Sequence, residues 1–230
     1  MVASKAGGAS RRRTVLLRAM LLATAAVTAG VVARVYVTHS LDTTNLVWNL
    51  VLAWIPFWLA LALYDGARRG WTPGRLVGTG LVWLLFLPNA PYIVTDAKWL
   101  VHYDRSMRWI DLPLVLGAAA IGLVLGFVSL YLVQAVVARR LGRVAGWSLA
   151  WGALALSGVG IYLGRYQRWN SWDLLTEPTK IVGQLASAAL DPLAYGRPLA
   201  LSTFFAVACC VGYGVFYSAF RAQLDGLDER

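Results

Sequence analysis

The sequence predicts an all-α membrane protein, a polytopic bundle of six transmembrane helices. Of its 230 residues, 59% are hydrophobic and only 14% are charged, whereas a soluble domain is about one-quarter charged. Apolar windows of about 20 residues recur along the chain, and a helix of that length crosses the roughly 30 Å hydrocarbon core of a bilayer. This composition excludes the ordinary soluble classes of protein.

The first predicted span has the shortest apolar centre, because Arg18 and Arg34 bracket it. We expect both side chains to extend toward the membrane surface. A signal peptide is the alternative, with a basic region at 11–13 and small residues at 23–26. The apolar run continues to Val37, which favours a retained span. The six predicted spans are about 15–37, 45–64, 75–94, 112–137, 145–163 and 201–219.

The distribution of charge predicts the orientation. With a cytoplasmic N-terminus, the inner segments hold most of the 21 Lys and Arg residues and a minority of the 11 Asp and Glu residues. Cytoplasmic loops are enriched in basic residues, so we expect both termini in the cytoplasm. The chain then comprises a basic tail (1–14), one transmembrane domain (15–220) and a C-terminal tail (221–230). The net charge of +10 follows from this topology, and the expected partner is the lipid bilayer, not nucleic acid.

The longer outer loops, at about 95–111 and 164–200, carry mixed charge. In the second of them, Pro178 is suited to the first turn of a helix that Thr176 would cap. The Asp191-Pro192 pair would end that helix. The sequence therefore predicts a short helix at about 178–190, which would lie on the outer membrane interface or dip into the membrane as a re-entrant element or lid.

The third span is interrupted by Pro88-Asn89-Ala90-Pro91 and closes on Tyr92, Thr95 and Asp96. Proline removes a backbone donor and clashes with the preceding turn, so helical hydrogen bonding must fail here. Freed carbonyls at membrane depth are costly unless they are buried in protein or line a wet cavity. This segment is the predicted centre of a functional site.

Polar residues of two other spans lie at the same predicted depth. Asn45 and Asn49 are one turn apart where the second span begins. The fifth span leaves the membrane at Arg165 and is followed by Arg168, Asn170 and Asp173. The convergence of three helices predicts an outer polar pocket.

Three segments together resemble a bacterial membrane family called domain of unknown function 1361. They are the stretch from Asn45 to Pro56, the proline–asparagine segment that ends at Asp96, and the stretch from Arg165 to Asp173. The resemblance implies a polytopic helical domain in the bacterial plasma (inner) membrane. It implies no activity, substrate or cofactor.

Each candidate residue has a binding and a structural interpretation. Asn89 could patch the broken turn, and Asn45 and Asn49 could join helices by hydrogen bonds. Asp96 and Arg165 could form a clamp, because buried charges are rarely left single, or bind ligand, with Asp96 as the acid–base candidate. The binding candidates are Asn45, Asn49, Asn89, Tyr92, Thr95, Asp96, Arg165, Arg168, Asn170 and Asp173.

The sequence predicts no metal and no cofactor. His102 and Asp104 resemble part of a metal shell, but two residues at this spacing are too few ligands. The adjacent Cys209 and Cys210 are expected to be small core residues. No phosphate loop, nucleophile elbow or zinc-protease motif occurs.

Three functions remain open at this stage. The first is an enzyme or lipid-handling protein whose outer pocket takes an anionic lipid headgroup or an envelope sugar-phosphate, since arginine grips phosphate through two parallel bonds. The second is a non-catalytic scaffold or partner subunit. The third is a small transporter, in which the broken third helix would offer backbone groups to a solute.

Overall fold

The computed structural model of the chain describes residues 2–98, 108–191 and 194–228. Every regular element in those ranges is helical. Four elements are short: α4 (Asn89–Tyr92), a 3-10 helix (Ile93–Lys98), α7 (Asp173–Thr176) and α8 (Pro178–Leu190). The longer helices are α1 (Val2–Thr38), α2 (Thr44–Arg68), α3 (Pro73–Phe86), α5 (Arg108–Leu141), α6 (Arg143–Tyr166) and α9 (Gly196–Asp228).

Six stretches within the described ranges are long and apolar enough to cross a membrane, which confirms the predicted number of spans. They exceed the predicted spans by up to several residues, because helices continue past the apolar window into polar ends. The orientation of the bundle remains a prediction from charge. The six stretches are Arg13–Thr38, Thr44–Arg68, Pro73–Asp96, Trp109–Leu141, Arg143–Tyr166 and Gly196–Phe220.

The core lies where α2, α3 and α5 meet. Pro56 has no N–H and therefore weakens α2 locally. The buried hydroxyl of Ser129 on α5 donates to the Pro56 carbonyl oxygen at 3.2 Å. The same hydroxyl accepts from the indole Nε1 of Trp83 on α3 at 2.6 Å. One serine thus joins three helices beside the proline of α2.

The third span breaks where its prolines predict. Helix α3 ends at Phe86, and α4 and the 3-10 helix continue the chain to Lys98. The side-chain amide of Asn89 donates to the Phe86 carbonyl oxygen at 2.9 Å, as expected for an amide that patches the broken turn. Gly122 of α5 permits close packing here, because a Cβ on that residue would lie 2.6 Å from the carbonyl oxygen of Ala90.

The expectation that Arg34 extends to the membrane surface is wrong. Its guanidinium lies 2.9 Å (Nε) and 3.3 Å (Nη2) from the two carboxylate oxygens of Asp111 on α5. The two side chains are 6% and 0% exposed. Asp111 supplies the partner that a buried arginine requires, because an unpaired buried charge is strongly destabilising. The pair fixes the end of α1 against α5.

Helix α8 has the predicted bounds, Pro178–Leu190, but its predicted cap is wrong. Glu177, not Thr176, stands at the N-cap, and no side chain caps the helix. Thr176 ends α7 and donates its hydroxyl to the Asp173 carbonyl oxygen at 3.4 Å. The Thr176 hydroxyl therefore bonds to the backbone of α7 and does not cap α8.

Candidate functional site

Asp96 lies at the centre of a buried hydrogen-bond network and is 3% exposed. Its Oδ1 accepts from Nη1 of Arg165 at 2.9 Å. Its Oδ2 accepts from Nδ2 of Asn49 at 2.7 Å. The 3-10 helix is thereby joined to both α6 and α2, and the two carboxylate oxygens are occupied by donors from different helices.

Arg165 completes the network from α6. Its Nη2 donates to the carbonyl oxygen of Thr95 at 2.7 Å, and its Nη1 lies 3.5 Å from the hydroxyl of Tyr92. The guanidinium carbon is 5.6 Å from the centre of the Tyr92 ring. The Arg165 and Asp96 side chains are 10% and 4% exposed. Both charges face each other in a buried interface, as in a structural clamp.

Close approach of α6 to the broken third span requires glycine. A Cβ on Gly160 would lie 2.6 Å from Cβ of Pro88, and one on Gly164 would lie 3.1 Å from Cε2 of Tyr92. Contacts below 3.0 Å force neighbouring atoms to move. The two glycines, one turn apart, bring Arg165 within reach of Asp96.

Beside this network lies a cavity of about 780 Å³. It is bounded by α2, α3, α4, α6 and the chain segment that runs from Arg168 through α8. Its apolar walls include Leu52, Leu81, Leu85, Leu156, Leu163 and Ile181. Its polar lining residues are Asn49, Asn89, Tyr92, Arg168, Asn170 and Ser171.

The polar end of the cavity is held by bonds between distant parts of the chain. Nδ2 of Asn89 lies 3.0 Å from the hydroxyl oxygen of Ser171. The indole Nε1 of Trp169 donates to Oε1 of Gln184 on α8 at 2.6 Å. Arg168 has a φ of 60°, a left-handed conformation that is uncommon for a residue other than glycine. Such backbone conformations cluster at functional sites.

The predicted site residues separate into three groups. Asn49, Asn89, Tyr92, Arg168 and Asn170 line the cavity. Thr95, Asp96 and Arg165 belong to the buried network, and the Thr95 hydroxyl donates to the Tyr92 carbonyl oxygen at 2.6 Å. Asn45 and Asp173 form the third group, which does not line the cavity. Asn45 is exposed on α2, and Asp173 accepts from the Asn170 backbone N–H at 2.7 Å within a turn.

His102 and Asp104 lie outside the described residues. Among the residues that the structure describes, no group of three or more His, Cys, Asp or Glu side chains is arranged to hold a metal ion. Cys209 is buried and Cys210 is partly buried, both as free thiols.

Ser171, Gln184 and most of the apolar wall were not predicted from the sequence. Ser171 directly follows Asn170, so the polar run from Arg168 to Asp173 was the available signal. No local signal marks Gln184, because its bond to Trp169 depends on how α8 folds back over the cavity.

A family model matches residues 48–211 of this chain, more than half of its length. The chain belongs to the family described as Protein of unknown function (DUF1361). The match includes α2 from Trp48 onward, the broken third span, the cavity and about the first half of α9, up to Val211. No curated protein and no solved structure matches the chain. DUF1361 membership and the six apolar helices together describe a multi-pass helical protein of a family without an assigned function.

Proposed function

We propose that this DUF1361 protein binds one amphipathic anionic molecule, a lipid with a phosphate-bearing headgroup, in the cavity beside the broken third span. The observation that carries the proposal is the composition of the cavity. Apolar side chains form most of its walls, and amide, hydroxyl and guanidinium groups converge at one end. Ligand sites are typically apolar clefts of about 300–1,000 Å³ with a few placed polar groups.

The polar end suits a phosphate. Arg168 is the one charged side chain among the described residues that line the cavity, and Asn170 and Ser171 follow it directly. Guanidinium binds phosphate through charge-assisted hydrogen bonds, which are stronger than neutral ones. A lipid headgroup or an envelope sugar-phosphate presents this chemistry.

The apolar walls suit acyl chains that enter sideways from the bilayer. Leu81 on α3, Leu156 on α6 and Leu175 on α7 line the cavity and are also exposed large hydrophobic residues. Exposed apolar side chains at the rim of a cavity mark interaction sites. In a membrane protein, such a rim gives lipid tails access to the cavity from the bilayer.

The buried network has a positioning role in this proposal. Asp96 and Arg165 face each other, so they hold α6 against the third span and do not contact the ligand. Asn49 and Tyr92 take part in both the network and the cavity lining. We infer an outer-facing cavity from the predicted orientation, which rests on the enrichment of basic residues in cytoplasmic loops, and the ligand would then be an envelope lipid.

Titration of the purified protein with phosphatidylglycerol and with diacylglycerol of the same acyl chains, followed by native mass spectrometry, tests the proposal. We expect tighter binding of phosphatidylglycerol and a roughly tenfold loss of that preference in Arg168→Gln, since a hydrogen bond to a charged group contributes about 1.5 kcal/mol or more. Arg197→Gln is the matched control, because Arg197 is exposed at the start of α9 and does not line the cavity.

A second variant tests the apolar part. Leu81→Trp places a bulky indole ring at the rim of the cavity. Val215→Trp, on α9, is its control, because Val215 is 64% exposed and Leu81 is 63% exposed. We expect only Leu81→Trp to weaken binding of both lipids. Equal effects of the two tryptophans, or equal affinity for the two lipids, would contradict the proposal.

A scaffold function is the second candidate, and the buried network favours it. Three helices meet at Asp96 in contacts that need no ligand. This function predicts that Asp96→Asn lowers the amount of folded protein, while Arg168→Gln changes neither stability nor lipid binding.

A further inference from the structure

Seven arginines gather at the end of the bundle opposite the cavity. Helices α2 and α5 end there, and α3 and α6 begin there. We call this surface the basic end. Its arginines are Arg13, Arg68, Arg69, Arg75, Arg139, Arg140 and Arg143. Among the described residues, these helix ends contain more arginines than acidic side chains.

The carboxylate of Asp65 is engaged within the basic end. Nη1 and Nη2 of Arg13 donate to its two oxygens, each at 3.0 Å. This bidentate pair joins α1 to α2 and neutralises one arginine. The other six arginines of the basic end are exposed, and together they give this surface a positive field.

Two of those arginines, from different helices, converge on one aromatic ring. The guanidinium carbon of Arg139 on α5 is 4.8 Å from the centre of the Tyr64 ring, and that of Arg68 on α2 is 5.8 Å from it. Both distances are within the range of cation–π attraction, which positions the two guanidinium groups around one shared ring. Two positive charges from different helices are thereby fixed at one surface, which attracts anions.

A third arginine of the basic end is preorganised by stacking on a different aromatic ring. The guanidinium carbon of Arg75 is 3.6 Å from the centre of the Trp71 ring. That ring packs onto Gly66, where a Cβ would lie 2.3 Å from it. Trp71 lies in the connection between α2 and α3, and tryptophan is enriched at the depth of lipid headgroups.

We propose that Arg68, Arg139 and the stacked Arg75 form a binding site for the phosphate of an anionic phospholipid of the facing leaflet. The site is separate from the cavity and does not depend on the cavity's function. A guanidinium offers two parallel donors to phosphate oxygens. Basic residues next to a membrane span attract anionic lipid.

The test is competitive binding to the full-length protein in detergent, read by native mass spectrometry. Phosphatidylglycerol and phosphatidylcholine with identical acyl chains are titrated onto the wild type, Arg68→Gln/Arg139→Gln and the control Arg197→Gln. We expect the double variant to lose about thirty-fold in its preference for phosphatidylglycerol, since two surface arginines are removed. The control is expected to match the wild type.

A second double variant and three contradicting results complete the test. If the glutamine double variant does not accumulate, Arg68→Lys/Arg139→Lys replaces it, with an expected loss of about fivefold because lysine has no fork of donors. An unchanged preference in the measured variant overturns the proposal. Displacement of the lipid by inorganic phosphate at constant ionic strength would also overturn it. Loss of the preference in Arg168→Gln alone would assign the lipid to the cavity instead.

Discussion

Replacement of Asp96 by asparagine tests how much the buried network contributes to the fold. Asparagine has nearly the same shape but no charge, and its amide nitrogen cannot accept a hydrogen bond. It can therefore accept from Arg165 or from Asn49, but not from both as the two carboxylate oxygens do. Arg165, with a side chain only 10% exposed, keeps its charge without the carboxylate.

The size of the effect follows from burial. Removing one partner of a buried ion pair costs about 3–5 kcal/mol, because the other charge stays desolvated. A loss of about 3 kcal/mol corresponds to a more than hundredfold increase in the unfolding constant. The Arg13–Asp65 pair supplies the control, because it also joins an arginine to an aspartate of another element, but its side chains are 44% and 29% exposed. An exposed pair contributes roughly 0.2–1 kcal/mol.

The assay is equilibrium unfolding in mixed micelles, followed by tryptophan fluorescence, for Asp96→Asn, Asp65→Asn and the double variant Asp96→Leu/Arg165→Leu. We expect a large loss of stability in Asp96→Asn and a small one in Asp65→Asn. The double variant should recover most of the stability, because no charge is left buried. A loss below 1 kcal/mol for Asp96→Asn, or equal losses in both asparagine variants, would refute this reasoning.

Two further substitutions follow from packing and burial. Gly160→Ala should destabilise the protein by about 1–3 kcal/mol, since its new Cβ would lie 2.6 Å from Cβ of Pro88. Gly152→Ala should stabilise it by up to about 1 kcal/mol, because its Cβ meets no atom within 4 Å and alanine favours the helix. Thermal unfolding should therefore show a lower melting temperature for Gly160→Ala and a higher one for Gly152→Ala than for the wild type. Asp111→Asn should cost about as much as Asp96→Asn, because Arg34 is equally buried; a loss as small as that of an exposed pair would contradict the role of Asp111.

Hydropathy was sufficient to predict the six spans, because bilayer thickness sets helix length independently of packing. The proline pair likewise predicted the break in the third span and the role of Asn89 in patching it. The contact between Asp96 and Arg165 was one of the two open interpretations, since buried charges pair. The spans and the break in the third span follow from the composition of single segments, and the Asp96–Arg165 contact follows from the general tendency of buried charges to pair.

The rest depends on tertiary geometry. Arg34 looked like a residue that extends to the surface, because its partner Asp111 lies 77 positions away in the chain. Charge and depth placed Asp96 near the cavity residues, but they do not determine toward which side its carboxylate points. The bond from Trp169 to Gln184 requires the fold of α8 over the cavity, which no local pattern encodes.

The most direct test of the proposed lipid-binding cavity is photo-crosslinking with phosphatidylglycerol that carries a diazirine on its acyl chain, followed by peptide mapping. If one lipid occupies the cavity, adducts will concentrate on Leu81, Leu156 and Leu163 and will be competed by unlabelled phosphatidylglycerol. Val207 and Val215, exposed on α9, report general contact with surrounding lipid. Equal labelling of α9 and the cavity walls, without competition, would contradict the account.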